Sequence, residues 1–103
     1  MIRYKLSPDA RQDLVDIRDY YLRQGSPQAA RRMLIEFVEG FRSVARNPNL
    51  GHSRQDLAGN RPVLFWAVRD YLIIYRTDGK AFEIVAVVRG SRDIGALLSR
   101  LEQ

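Results

Sequence analysis

The chain has no cysteine and a single histidine, His52, among its 103 residues. The first absence excludes a disulfide, a thiolate nucleophile and a sulfur-ligated zinc. The second excludes an all-imidazole metal site, so nothing in the composition asks for a cofactor. No stretch approaches the roughly 20 apolar residues of a membrane helix, and the N-terminus has no apolar signal core. The expectation is a cytoplasmic protein with no membrane partner. Lysine is also scarce: fifteen of the 17 basic residues are arginine, and the net charge is +5. The planar arginine fork suits carboxylates and phosphates, which favours an acidic partner, although arginine-rich codon usage accounts for the charge equally well.

What is present is one ordinary globular domain spanning residues 1–103, with 46% hydrophobic and 28% charged residues and room for a single two-layer core. Residues 2–6 alternate apolar and basic, the period of a strand with one buried face. Ser7-Pro8 is a helix N-cap followed by proline in the first turn, and Leu14, Ile17 and Tyr21 recur at helical spacing until Gly25. Asp13, Asp16 and Asp19 fall off that stripe and are expected to face water. Ser26-Pro27 repeats the start signal, and Ala30, Leu34, Phe37, Val38, Phe41 and Ala45 carry a second helix to Asn47-Pro48. The two helices should form an antiparallel hairpin with one apolar face. Residues 47–62 read as a long polar loop pinned by Leu50 and Leu57.

Strands follow at 63–68, 71–77 and 81–89, with Asp78-Gly79 as a hairpin turn. Arg69-Asp70 makes a less favourable turn, since neither residue favours positive φ. Ile94, Leu97, Leu98 and Leu101 form a short last helix. The predicted fold is α+β, in the order β-α-α-β-β-β-α, with the helical hairpin on one face of a mostly antiparallel four-stranded sheet. On the last strand Phe82, Ile84, Ala86 and Val88 share one face, and Glu83, Val85, Val87 and Arg89 the other, which is half polar and expected to be open.

The Ala-x-x-Asp-Leu segment at Ala10, Asp13 and Leu14, followed by Ile17 and Tyr20-Tyr21, resembles the first helix of the ParE branch of the ParE/RelE toxin superfamily. Asn47-Pro48-x-Leu-Gly, the hairpin around Tyr71-Leu-Ile-Ile-Tyr-Arg76 and the ending Val87-Val-Arg-Gly-Ser-Arg-Asp-Ile94 are similar to the remaining ParE landmarks. One departure is that Arg89 stands where many ParE-like chains carry histidine. The resemblance implies a type II toxin, joined to a cognate antitoxin in a heterodimer or heterotetramer. ParE relatives poison DNA gyrase by binding, whereas RelE relatives cut mRNA on the ribosome, and one fold serves both.

Cleaving RNA through its 2′-hydroxyl needs a proton acceptor, a proton donor and cations at the phosphate. RelE-type ribonucleases resemble one another in carrying lysines and arginine on the middle strands and a tyrosine or histidine near the C-terminus. Here the corresponding stretch holds Phe65, Ala67 and Leu72, and no tyrosine follows Tyr75. The expectation is no catalytic residue and no metal, with gyrase, which the ParE resemblance implies, as the target, a RelE-like endonuclease as the alternative, and no sequence-specific nucleic-acid binding. The expected target contacts are Arg89, Arg92, Trp66 and Arg69, since arginine and tryptophan dominate interface hot spots. For Arg92, ion pairing with a nearby carboxylate competes equally, and for Trp66 a core position competes. The expected antitoxin contacts are Tyr21, Phe37, Val85 and Val87, on the helical hairpin and the open sheet face.

Overall fold

The computed structural model describes residues 4–77, 82–90 and 93–101. The expected Asp78-Gly79 turn, the start of the first strand and Arg92 lie outside the described residues. Strand β1 (Lys5–Leu6) leads into α1 (Pro8–Arg23) and α2 (Pro27–Arg46). A 3-10 turn (Pro48–Leu50) and a single-turn helix α3 (Gln55–Ala58) follow. Strands β2 (Leu64–Val68), β3 (Tyr71–Arg76) and β4 (Glu83–Arg89) and helix α4 (Ile94–Leu101) complete the order. The sheet runs β1-β4-β3-β2, antiparallel except where β1 lies parallel to β4. This is the α+β arrangement that the periodicities indicate.

Both hairpin helices start where the chemistry of their caps requires. The Ser7 hydroxyl accepts from the Ala10 amide at 3.0 Å and donates to the Val85 carbonyl at 2.7 Å, so one side chain caps α1 and ties it to β4. Ser26 accepts from the Ala29 amide at 3.2 Å, and Gly25 makes the left-handed turn between the helices at φ 75°, a conformation that costs glycine nothing. Phe37, Phe41 and Val44 on α2 are fully buried against Ile73, Tyr75 and Ile84. Gly40 permits the close approach, because a Cβ there would stand 2.8 Å from the Ile73 Cδ1.

The expected open sheet face is not open. Along β4 the pairing runs Ile74 with Ala86 and then Tyr75 with Ile84, so Val85 is an extra residue in a bulge and the strict alternation breaks there. Ile84 and Val87 consequently belong to the hairpin side, while Val85, Ala86 and Val88 join a second apolar cluster with Phe65, Ile94, Leu97 and Leu98. All five residues from Ile84 to Val88 are buried. Helix α4 is the cover, with Leu57 of α3 packed beside it.

The segment from 47 to 62 is also more ordered than a polar loop. Tyr75, fully buried on β3, donates its hydroxyl hydrogen to the Pro48 carbonyl at 2.7 Å and accepts from the Gly51 amide at 2.8 Å. His52 then bridges Phe65 on the outer edge of β2 through two 2.8 Å backbone bonds. Leu50 packs on the hairpin-side core and Leu57 on the α4-side core, as their isolation in a polar segment suggests.

Candidate functional site

Arg89 ends β4 opposite Tyr71, the first residue of β3. With Val87 on the hairpin side after the bulge, Arg89 turns to that side as well and meets the C-terminal half of α1. Its guanidinium carbon lies 5.4 Å from the centre of the Tyr71 ring and 5.5 Å from that of Tyr20. Two ring faces thus hold one cation through the attraction of their quadrupoles. No carboxylate is ion-paired to Arg89 among the described residues.

The tyrosines are themselves fixed. Tyr71 is buried, and its ring meets Phe37 edge-on at 5.3 Å. Burial, reinforced by the hydrogen bond with Tyr21, pushes the Tyr71 phenol up to about 12, and Arg89 opposes this only in part. Tyr71 therefore stays a neutral phenol at any ordinary pH. Tyr20 stands edge-on to Tyr21 at 5.1 Å and remains 40% exposed, so its ring covers Arg89 and still meets solvent. Beside this rim lies an open cleft of about 430 Å³ between α1 and β4, floored by Ile17 and Val87 and bordered by Asp13, Asp16, Tyr20 and Arg89.

Asp13 is half-buried and does more than face water. Its Oδ2 accepts the Val87 amide at 2.9 Å, satisfying a backbone donor of β4 beyond the reach of the two-residue β1. An off-stripe carboxylate on an amphipathic helix carries no mark of this role, which arises from how α1 crosses the strand edge. Asp16 and Asp19 do bond on the surface, to Gln12 at 2.9 Å and to Arg18 at 3.1 Å.

The other residues singled out by the sequence fall elsewhere. Trp66 lies on the hairpin side of β2, half-buried, with His52 stacked on it at 6.5 Å and 29°; β3 separates it from Arg89. Arg69 forms a bidentate pair with Glu36 of α2, Nε to Oε1 at 2.6 Å and Nη2 to Oε2 at 2.9 Å. That hydrogen-bonded guanidinium holds the Glu36 carboxyl below its ordinary range. Tyr21 is half-buried beneath the rim, whereas Phe37 and Val87 are enclosed in the hairpin core and Val85 in the α4-side core. In this conformation Phe37 supports the rim from below, Val87 floors the cleft, and Val85 lies on the α4 side of the sheet. Tyr20 is the rim residue that hot-spot reasoning on tryptophan and arginine passed over, although the Tyr20-Tyr21 pair was visible in the sequence.

A second cleft, of about 330 Å³, lies between the start of α1 and α4. Its two arginines are already engaged: Arg76 bonds Glu83 at 2.7 Å, and Arg61 donates to the Ala58 carbonyl at 2.9 Å and to Ser99 at 2.7 Å. The Arg89 rim differs in presenting a braced cation with donor edges available for a carboxylate or phosphate. Among the described residues no group of three His, Cys, Asp or Glu side chains is placed to hold a metal ion, and no helix is long and apolar enough to cross a membrane.

The class set by this geometry is a small α+β domain with a helical hairpin over a mixed sheet and an arginine-tyrosine rim beside the hairpin. The chain belongs to the ParE toxin family, described as the ParE toxin of the type II toxin-antitoxin system parDE, which it matches over residues 4–94. Among solved structures it is similar to a chain of the chromosomal ParDE TA system from P. aeruginosa, with a TM-score of 0.72 and 23% identity. That match covers 86% of this chain and 96% of the other, and at this identity it speaks to the fold. A search of curated protein sequences finds no significant match. Family membership makes the chain a toxin component and implies an antitoxin partner.

Proposed function

We propose that this ParE-family toxin acts by binding DNA gyrase in the cytoplasm, without breaking a bond itself, and that its antitoxin neutralises it by covering the cleft between α1 and β4. The observation that carries the reading is Arg89, a guanidinium braced by Tyr20 and Tyr71 with no ion-paired carboxylate among the described residues. An arginine already ordered by its neighbours loses less entropy when it pairs, which is what an interface anchor needs. The hydrophobic side chains at the middle-strand positions support binding over RNA cleavage, since a ribonuclease needs proton-transfer groups and cations there.

On the antitoxin side, an acidic and apolar segment fits a cleft with an apolar floor and a cationic rim. It would touch Tyr20, Tyr21 and Arg89 directly and rest above Phe37 and Val87. Trp66 and Arg92 remain proposed target contacts in addition to Arg89, and a heterodimer or a pair of heterodimers is the proposed assembly.

The test is a gyrase supercoiling assay with the wild-type chain and Arg89→Ala. Inhibition with trapped cleaved DNA is expected at micromolar toxin, weakened about tenfold or more in the variant, as for an interface hot spot. Codon-positioned mRNA cuts by the purified toxin, with supercoiling untouched, would overturn the reading.

A further inference from the structure

Arg69 sits in a conformation that arginine disfavours. It has φ 54°, the one positive value at a non-glycine among the described residues, in the two-residue turn between β2 and β3. Such turns draw glycine, asparagine or aspartate because a Cβ is strained there. A residue that opposes its own turn invites the question of what its side chain does in return. It reaches α2 and grips Glu36 with two parallel bonds.

We propose that the Arg69–Glu36 pair is a strut that positions Arg89, so that Arg69 is a positioning residue and not itself a target contact. This rests on the reading of Arg89 given above. The path is short and continuous. Arg69 fixes the turn to α2, and the next residue on the helix, Phe37, packs edge-on against Tyr71 at 5.3 Å. On the other side of the turn, the Asp70 carbonyl accepts the Gly90 amide at 3.1 Å, immediately after Arg89. The turn is thus tied by a side chain to the hairpin and by its backbone to the end of β4. Tyr71, which braces Arg89 from below, is the first residue beyond it. A shift of the turn moves the ring and the strand end together.

Both members of the pair are accessible, with 57% and 28% of their side-chain surfaces exposed, so the strut is a modest device for setting geometry and contributes little to global stability. That separation makes it testable. Arg69→Gly relaxes the turn and removes the strut. Glu36→Gln leaves Arg69 in place and removes its charged partner.

The first readout is the ring-current shift of the Arg89 side-chain Nε–H proton by NMR, which reports the two tyrosine faces without reference to any target. The second is the potency of gyrase inhibition. Each single variant should reduce the ring-current shift and weaken inhibition about two- to fivefold, the effect expected from one exposed ion pair. The double variant should be no weaker than either single, because both substitutions cut the same strut.

Three results overturn the proposal: an unchanged Arg89 shift in all variants; additive losses in the double variant; or a Glu36→Gln protein as potent as wild type beside a weakened Arg69→Gly protein. The last would make Arg69 a direct contact. Should the wild-type chain leave gyrase untouched, the gyrase reading fails, and the NMR shifts still decide the strut.

Discussion

Strand β3 carries two tyrosines four residues apart on the same side of the sheet, Tyr71 and Tyr75, and they do opposite things. Tyr75 is fully enclosed, and its hydroxyl is spent on the Pro48 carbonyl and the Gly51 amide. Tyr71 is buried too, but it lies at the strand's start, where the sheet meets solvent, and its phenol faces Tyr21 and Arg89. The first converts a loop into part of the core. The second converts the edge of the core into a surface with a fixed cation. Where a buried ring ends, and whether its polar atom meets backbone or another side chain, decides whether it serves the fold or the site.

That contrast breaks most forcefully at Tyr75. Tyr75→Ala removes a buried ring and should cost about 3–5 kcal/mol, close to the whole stability of many small domains. Tyr75→Phe keeps the ring and strands the two backbone groups, for about 1–3 kcal/mol. Urea titration measures both, and an undisturbed midpoint in the phenylalanine variant would show that the hydroxyl is not the lock. Gly51→Ala comes next. A Cβ at that position overlaps the Tyr75 hydroxyl, so the ring or the loop must move, at about 1–3 kcal/mol, as for other overpacked sites. The same measurement applies, with a shift below about 0.5 kcal/mol counting against a rigid lock.

The segments that carry the family resemblance include these ties. Asn47-Pro48-x-Leu-Gly provides both partners of the Tyr75 hydroxyl, and Ala10-x-x-Asp13 provides a fully buried contact and the acceptor for the Val87 amide. The helices, their caps and the succession of elements along the chain were legible because proline, serine and hydrophobic period act locally. The bulge at Val85 was not, because an added residue in a run of Ile, Val and Ala leaves no mark on composition and shows only in the pairing with β3. One residue of slip exchanges the faces of Val87 and Arg89 relative to strict alternation, and α4 covers the face that alternation leaves half polar. Arg89 was legible as a functional candidate from its charge at a strand end, but its two tyrosine braces come from α1 and β3, far apart in sequence. Arg69 was legible as an ill-suited turn residue and an expected target contact, but its Glu36 partner lies 33 residues away.

The smallest effect is the sharpest test of the comparison at Tyr71. Its phenol is pushed up to about 12 in the folded chain, and burial raises Tyr75 as well, whereas an unfolded tyrosine ionises near 10. Between about pH 10 and 12 the unfolded chain therefore sheds protons that the folded chain retains, so stability falls as pH rises through that window and is independent of these groups below it. Tyr71→Phe removes one of the retained protons and should flatten part of this alkaline loss, with little change in stability at pH 7, because the groups it leaves behind, on exposed Arg89 and half-buried Tyr21, can bond water instead. Urea midpoints compared at pH 8 and pH 11 measure it. If Tyr71→Phe left the alkaline slope unaltered, or cost as much at pH 7 as Tyr75→Phe, the two tyrosines would be doing the same work, and the division between a ring that closes the fold and a ring that prepares the surface would be lost.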